Sequence, residues 1–245
     1  MLKIENTEVL GWDAAIRGMR NPLNSWEKSD SQFVRDPDYG CFGVCPCAEL
    51  VDCDCCHVGP NDLKLMNTLR NAGTDHRKFM RMITVYLDIT APLYWWKEFD
   101  TYKVGTVANS CSTMHKIADK EFTLEDFSNE HLLSMANNDA GDALFLNDAN
   151  NIRVDGDDLL GLIINVLNYY RGRYIKTKDK RYWWQLIQLL PSSYNQKRTV
   201  MLNYEVLANI YKSRRHHKLD EWHTLCDRIE SLPYSKLITG GVVDE

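Results

Sequence analysis

The sequence predicts an α+β protein in which helices outnumber strands, and two patterns lead to that prediction. Apolar residues recur at helical spacing after Gly156, at Leu159, Ile163 and Leu167. The run 82–90 is rich in β-branched residues and partly alternates, which favours a strand or the buried end of a helix. Hydrophobic residues make up 44% of the chain, which is enough to bury a sizeable core around both kinds of element.

Turn and capping residues set the bounds of the remaining elements. Asn and Pro near residue 22 end a first helix, Gly73 ends a second, and Pro191 ends a later one. The sequence 123–126 is a capping box, and 109–116 has a helical tendency. The expected strand is 2–10, and the expected helices are 13–20, 60–73, one that begins near 75, one after 156, 180–190, 203–215 and 219–232.

Length and charge restrict the organisation of the chain and its partners. A chain of 245 residues suits one large domain, so we expect a single domain over 1–245. The net charge of −5 argues against general nucleic-acid binding but allows a local basic pocket for one phosphate. The apolar stretches are shorter than the roughly 18 residues that a membrane helix needs. The start of the sequence lacks the pattern of a signal peptide, so we expect no membrane partner and a cytoplasmic protein.

Residues 27–59 are rich in Ser, Asp, Gly and Cys, and they predict a long loop excursion. Six of the eight cysteines lie in 41–47 and 53–56, directly before His57. Thiolates and imidazoles at such spacing can bind a soft metal ion, but Cys-x-Cys-Cys differs from the two-residue spacer of a zinc knuckle. A structural zinc site and a loop of reduced thiols both remain open, and we place no metal in the expected functional site.

A proline-bounded segment near the C-terminus carries the first set of candidate functional residues. It reads Leu-Pro-Ser-Ser-Tyr-Asn-Gln-Lys-Arg-Thr-Val-Met-Leu-Asn over 190–203 and continues into the helix 203–215. At about 100° per residue, Asn203, Leu207, Ile210 and Arg214 share one helix face. An amide at one end and a guanidinium at the other suit a ligand cleft, because an Arg fork donates two parallel hydrogen bonds to a phosphate or a planar base.

This segment resembles the flavin-dependent thymidylate synthases. That family has a Leu-Pro, a run that ends in Thr-Val-Asn or similar, and a helix that bears Asn, Arg, Asn and a later Arg. The resemblance implies that Asn203 and Asn209 bind the flavin, and that Arg214 contacts the pyrimidine as the catalytic residue. Glu205 stands where the family has the intervening arginine.

A second segment, 75–115, has the family's layout of a His-bearing start, a buried run, an aromatic stretch and then Asn-x-x-Ser. The family motif there begins Arg-His-Arg, and Tyr-Lys-Val stands in its place at 102–104. The resemblance implies two further groups of site residues. The cofactor-binding group is His76, Lys103 and Asn109, and the substrate-binding group is Ser112, His115 and Arg214.

The resemblance covers roughly residues 60–235 and implies a fold, a chemistry and an assembly. The fold is predominantly helical with a central antiparallel sheet. The chemistry is one-carbon transfer to a pyrimidine nucleotide, with FAD as cofactor and with NADPH and methylenetetrahydrofolate as co-substrates. The assembly is a homotetramer with sites between subunits. Two alternatives stay open, namely a non-catalytic nucleotide-binding protein (a sensor or sponge) on the same scaffold and an interaction module organised by the cysteines.

Overall fold

The structure is a computed structural model and describes residues 2–33, 56–134, 144–147 and 152–240. Its helices are α1 (Trp12–Arg20), α2 (Pro60–Asn71), α3 (Leu93–Phe99), α4 (Thr113–Lys116), α5 (Gly156–Thr177), α6 (Lys180–Leu189), α7 (Tyr204–Arg214), α8 (Asp220–Glu230) and α9 (Lys236–Thr239). Its strands are β1 (Lys3–Leu10), β2 (Gln32–Phe33), β3 (Cys56–His57), β4 (Thr84–Pro92), β5 (Val107–Ser110), β6 (Leu144–Asn147), β7 (Ile152–Val154) and β8 (Asn195–Asn203).

A four-stranded antiparallel sheet with the order β1-β4-β8-β5 lies at the centre of the fold. β1 pairs antiparallel with β4, with Lys3 opposite Thr90. Alternate β4 residues, Val85, Leu87 and Ile89, are buried, as expected for a strand with one face on the core. The run 82–90 is therefore a strand, and the α+β prediction with a central antiparallel sheet is confirmed.

By its internal contacts the chain divides into two compact units. The first consists of Ala91–Lys97 and Ser110–Lys197, and within it α5 packs along α6. Carboxylates begin both helices, because Asp155 accepts a hydrogen bond from the Asp158 amide and Asp179 accepts one from the Arg181 amide. Its core consists of Ile117, Phe122, Phe127, Leu160, Leu167 and Leu186.

The second unit consists of Leu2–Thr90, Glu98–Asn109 and Arg198–Glu245. Its core includes an aromatic contact in which the rings of Trp12 and Tyr204 meet edge to face, with centroids 5.4 Å apart. Aromatic pairs prefer this arrangement. The contact ties α1 to the start of α7.

Three sequence-based expectations need correction or extension. In place of a helix near 75 there is a short 3₁₀ turn, Lys78–Arg81, because α2 ends before Gly73 and β4 begins at Thr84, which leaves little room for a helix. Asn109 lies in strand β5, and only the end of the stretch 109–116 is helical. β8 was not anticipated as a strand.

The other expected elements are confirmed within a few residues. The cysteines from Cys41 to Cys55 lie outside the described residues, whereas Cys56 and His57 form β3, which pairs with β2. Within the described ranges, every helix is too short or too polar to cross a membrane. The same ranges hold no cluster of His, Cys, Asp and Glu arranged to bind a metal ion.

Candidate functional site

Asn203 occupies the junction between the sheet and α7. Its Oδ1 accepts a hydrogen bond from the Val206 amide at 3.0 Å, so it is the N-cap of the helix. Its Nδ2 faces the 102–106 loop, because a Cβ added to Gly105 would lie 2.9 Å from that nitrogen. Gly105 has φ +76°, a conformation that favours glycine. The carboxamide oxygen of Asn203 is thus engaged in capping, and its nitrogen faces Gly105, where a larger side chain would collide with it.

The helix face that was expected to line a ligand cleft is largely part of the core. Leu207 and Ile210 are both fully buried, so the middle of this face packs against protein. The prediction that Asn203, Leu207, Ile210 and Arg214 line one open cleft is therefore wrong. Its two polar ends lie in different surroundings.

Arg214 is held by groups of its own unit. Its Nε donates to the Tyr102 hydroxyl at 2.9 Å and its Nη1 donates to Glu98 Oε2 at 2.8 Å. The guanidinium also stacks over the Trp222 ring, 4.7 Å from its centroid, at a distance where a cation–π attraction is effective. Glu98 accepts a further hydrogen bond from Trp222 Nε1 at 3.0 Å, and His217 Nε2 lies 3.4 Å away. The guanidinium is therefore fixed in place by an anion and two rings.

The second unit contains a cavity of about 490 Å³ whose wall is strongly cationic. Four side chains that carry a positive charge converge on it, from α2, from the turn that follows α2, from α7, and from the residue directly after α7. We call it the cationic cavity. It is lined by Arg70, Arg77, Ala208, Asn209, Tyr211, Lys212, Arg215, His216, Ile238 and Thr239.

Two of the four cations are paired with carboxylates. Arg77 Nη2 donates to Glu205 Oε1 at 2.9 Å, and its Nε lies 2.8 Å from Oε2 of the same side chain. Glu205 is buried, and it stands where the resembled family has an arginine. Arg215 Nη1 donates to Asp227 at 2.8 Å, and its Nε lies 3.3 Å from Glu230. These carboxylates offset part of the positive charge of the cavity.

The other two cations are not offset in this way. Arg70 Nε donates to the Leu237 carbonyl at 2.9 Å and its Nη1 donates to the Asn71 side-chain oxygen at 2.9 Å. Burial and repulsion from the Arg77 charge lower the pKa of the Arg70 guanidinium below its ordinary value. In the part of the chain that the structure describes, no carboxylate lies within ion-pair distance of Arg70 or Lys212. The cavity thus carries excess positive charge, which favours an anionic ligand.

The structure brings only some of the sequence-predicted site residues together. Asn209 lines the cationic cavity, and His76 is exposed one residue before Arg77. Lys103 lines a separate cavity of about 310 Å³ near the Gly105 loop, and Asn109 is exposed on β5.

Ser112 and His115 belong to the first unit. Ser112 is the N-cap of α4 and accepts a hydrogen bond from the His115 amide at 3.1 Å. The His115 side chain is exposed. In the structure, Ser112 therefore serves to cap the start of a short helix.

The cations of the cavity were missed by sequence reasoning, although a partial signal exists. Lys212 follows Asn209 at i+3 on α7, which places the two on one helix face, and His216 follows two residues after the helix ends. Arg70 comes from the last turn of α2, and no local pattern links it to residues of α7.

Several solved structures resemble this chain over nearly its whole length, whereas no protein-family model and no curated protein matches its sequence. Thymidylate synthase X (ThyX) from Helicobacter pylori, crystallised with FAD and dUMP, has a TM-score of 0.59 at 14% identity and covers 98% of this chain and 97% of its own. The UMP/dUMP methylase PolB from Streptomyces cacaoi, bound with 5-Br UMP, has a TM-score of 0.55 at 13% identity and covers 98% and 92%.

The chain shares their fold. A second Helicobacter pylori ThyX complex agrees, with a TM-score of 0.58 at 15% identity over 97% of both chains. At these identities the likeness concerns the fold, and a function on the fold has to be argued from the residues of this chain.

Proposed function

We propose that this protein is a divergent, ThyX-like flavoenzyme that transfers a one-carbon group to a pyrimidine nucleotide. The observation that carries the proposal is the cationic cavity, which combines Asn209 with Arg70 and Lys212 on the fold of ThyX, which was crystallised with FAD and dUMP. FAD and pyrimidine nucleotides both carry phosphates, and phosphates form charge-assisted hydrogen bonds with Arg and Lys side chains.

The residues of the cavity suit a dinucleotide. Its volume of about 490 Å³ lies in the usual range for ligand pockets, which is about 300–1,000 Å³. Guanidinium forks match phosphate oxygens, and the Asn209 carboxamide offers both a donor and an acceptor to the edge of a flavin ring. We assign the FAD diphosphate to Arg70 and Lys212 and the flavin to Asn209. Asn203, which is outside the lining of this cavity, is assigned to the flavin from the resemblance alone.

The remaining contacts are assigned from the resemblance. His76, Lys103 and Asn109 complete the cofactor site, and Ser112, His115 and Arg214 bind the pyrimidine nucleotide. When bound, FAD would pass on a hydride taken from NADPH, and methylenetetrahydrofolate would supply the carbon. The role of Arg214 is to polarise the pyrimidine through its remaining donors. We also propose a homotetramer, since the family builds each site from several chains. A monomeric mass by light scattering at micromolar concentration would argue against that assembly.

Titration with FAD tests the cofactor assignment. Removal of one charge-assisted hydrogen bond from a desolvated site costs about 1.5–3 kcal/mol, which is roughly a ten- to hundredfold loss of affinity. We expect that loss for Arg70→Ala and Lys212→Ala, measured by quenching of flavin fluorescence. Lys64→Ala and Lys218→Ala, which remove exposed lysines outside the cavity wall, serve as controls. Equal FAD affinities for all four variants would contradict the assignment.

Turnover is a separate question. We expect the flavin-loaded protein to oxidise NADPH in a reaction that needs both methylenetetrahydrofolate and a pyrimidine nucleotide, with a methylated pyrimidine detected by mass spectrometry.

A non-catalytic nucleotide-binding protein, a sensor or sponge, is the second candidate. Its specific support is that Glu98 and Glu205 neutralise two of the arginines near the proposed site, Arg214 and Arg77. Colourless protein that retains a nucleotide and shows no turnover would favour this candidate.

A further inference from the structure

One face of α5 carries a narrow stripe that runs the length of the helix. Its members are three or four residues apart and, at about 100° per residue, lie within about 80° of arc. From the start of the helix to its end they are Asp155, Asp158, Leu162, Val166, Tyr169, Arg173 and Lys176. We call this set the α5 stripe.

The apolar part of the α5 stripe faces outward. Leu162 and Tyr169 are 52% and 62% exposed, and Leu159 on the edge of the stripe is 47% exposed. The side of the helix that carries Leu160 and Leu167 is buried in the core of the unit. α5 therefore has two apolar sides, of which the fold covers one. Exposed apolar patches of this kind mark interaction surfaces.

Charge along the α5 stripe is polarised. Asp155 and Asp158 lie at the N-terminal end, and Arg173 and Lys176 lie at the C-terminal end. These positions suit the helix dipole. They also give the stripe one acidic end, an apolar middle and one basic end over about 30 Å of helix, at 1.5 Å per residue.

We infer that the α5 stripe docks a second copy of this chain, with the two α5 helices antiparallel around a two-fold axis between residues 165 and 166. In this register Asp155 faces the partner's Lys176, Asp158 faces the partner's Arg173, and Leu162 faces the partner's Tyr169. Each contact occurs twice, as an isologous interface requires. The stripe is complementary to itself in both charge and apolar character.

The antiparallel orientation follows from the same observations. Parallel helices would set acid against acid and base against base, and would align the two dipoles unfavourably. Spacings of three and four residues give a seam of the coiled-coil kind, at which two helices cross by about 20°. A polyanion or an anionic membrane would use only the basic end, and it would leave the acidic end and the exposed Leu162 without a role.

Pairing through the α5 stripe does not depend on the proposed ligand. The stripe would join two subunits whether the dimer is the final assembly or half of a tetramer, and whether or not the protein binds a flavin.

Charge reversal with rescue is the decisive experiment. Asp158→Arg and Arg173→Asp each place like charges across the axis, which typically costs several kcal/mol. Each variant should therefore raise the dissociation constant of the dimer by more than about tenfold. The double variant restores opposite charges and should regain the assembly. Sedimentation velocity over a range of protein concentrations at low salt measures all three. Circular dichroism checks that α5 stays helical.

Two further variants complete the design. Asp157→Arg makes the same charge change about 100° further round the helix from Asp158, and it should leave the assembled mass unchanged. Leu162→Glu should dissociate the pair. A monomeric wild type, single reversals without effect, or a double variant without rescue would each overturn the inference. It would equally fail if Arg173→Asp abolished binding to heparin while every variant kept the wild-type mass, because that result points to a polyanion.

Discussion

Arg214 donates to two groups of its own chain, the Tyr102 hydroxyl and the Glu98 carboxylate, and stacks on Trp222. A guanidinium has five N–H donors, so these bonds leave others for a ligand. They also fix the plane of the group before any ligand binds, which lowers the entropic cost of a contact. A nucleotide that binds Arg214 meets a preorganised cation whose charge Glu98 partly offsets.

We expect Arg214→Ala to weaken binding of dUMP about ten- to hundredfold, as measured by calorimetry, while circular dichroism shows a folded protein. Arg215, one residue on, is unsuitable as a control because it lines the cationic cavity. Arg17→Ala is the better control, because Arg17 is exposed and forms an i,i+4 ion pair with Asp13. Identical dUMP affinities for wild type and Arg214→Ala would show that the resemblance misleads at this position.

Asp62 makes stability depend on pH. Burial alone would raise the pKa of its carboxyl, but hydrogen bonds from Ser31, Ser29 and Arg20 outweigh burial and hold the pKa below its ordinary value. As the pH falls, the unfolded chain therefore takes up the proton first. The free energy of unfolding should decline from about pH 4 downward.

Asp62→Asn should flatten that decline and lower stability at neutral pH by about 3–5 kcal/mol, since it leaves Arg20 buried without its counter-ion. Urea unfolding at a series of pH values measures both effects. Asp13→Asn is the matched control, because it makes the same change in the solvent-accessible ion pair of Asp13 with Arg17. A decline of the same slope in wild type and Asp62→Asn would assign the pH dependence to other groups.

At the scale of elements, the longer helices were predictable because caps and apolar periodicity agreed, whereas the short helix α3 was not anticipated. Asp155 and Asp179 begin α5 and α6, and Pro191 follows α6. β8 was missed because charged residues such as Lys197 and Arg198 interrupt its alternation, and only the sheet partners reveal the strand.

The candidate site was less predictable than the fold, for a related reason. Asn209 was found through the resemblance, but Arg70 lies 139 positions earlier on α2, and no spacing rule joins the two. Periodicity places Leu207 and Ile210 on an apolar helix face, but it does not say whether protein or a ligand covers that face.

Asn203 allows helix capping to be separated from ligand binding. Asn203→Ala removes the acceptor of the Val206 amide and should cost about 0.5–2 kcal/mol of stability. Asn203→Asp keeps the acceptor and loses the Nδ2 donor, so we expect it to retain stability but bind FAD more weakly. Thermal unfolding and flavin titration of both variants test this. Weak FAD binding by Asn203→Ala alone would indicate a purely structural role.

At the scale of the whole molecule, average composition conceals local charge. The chain carries a net charge of −5, yet four cations converge on one cavity in the second unit. Ligand binding there should weaken as salt rises, because mobile ions screen exposed charges beyond about 10 Å at 0.1 M.

The cysteines of the excursion should not contribute to ligand binding. The resembled chemistry needs no thiol, and the cationic cavity contains no cysteine in its described lining. We expect the combined replacement of Cys45, Cys47, Cys53 and Cys55 by Ser to leave FAD and dUMP affinities within about threefold, well under 1.4 kcal/mol. Loss of binding in a variant that still folds would reverse this expectation.

The direct passage from β8 into α7 limits which changes of length this protein tolerates. β8 ends at Asn203 and α7 begins at the next residue, so no loop is available to absorb an inserted or deleted residue. One extra residue in this strand would flip the faces of the positions beyond it or turn the following helix by about 100°. Asn209 would then leave the cavity wall. We therefore expect relatives of this chain to vary in length elsewhere and to keep the number of residues between Asn195 and Asn209 constant.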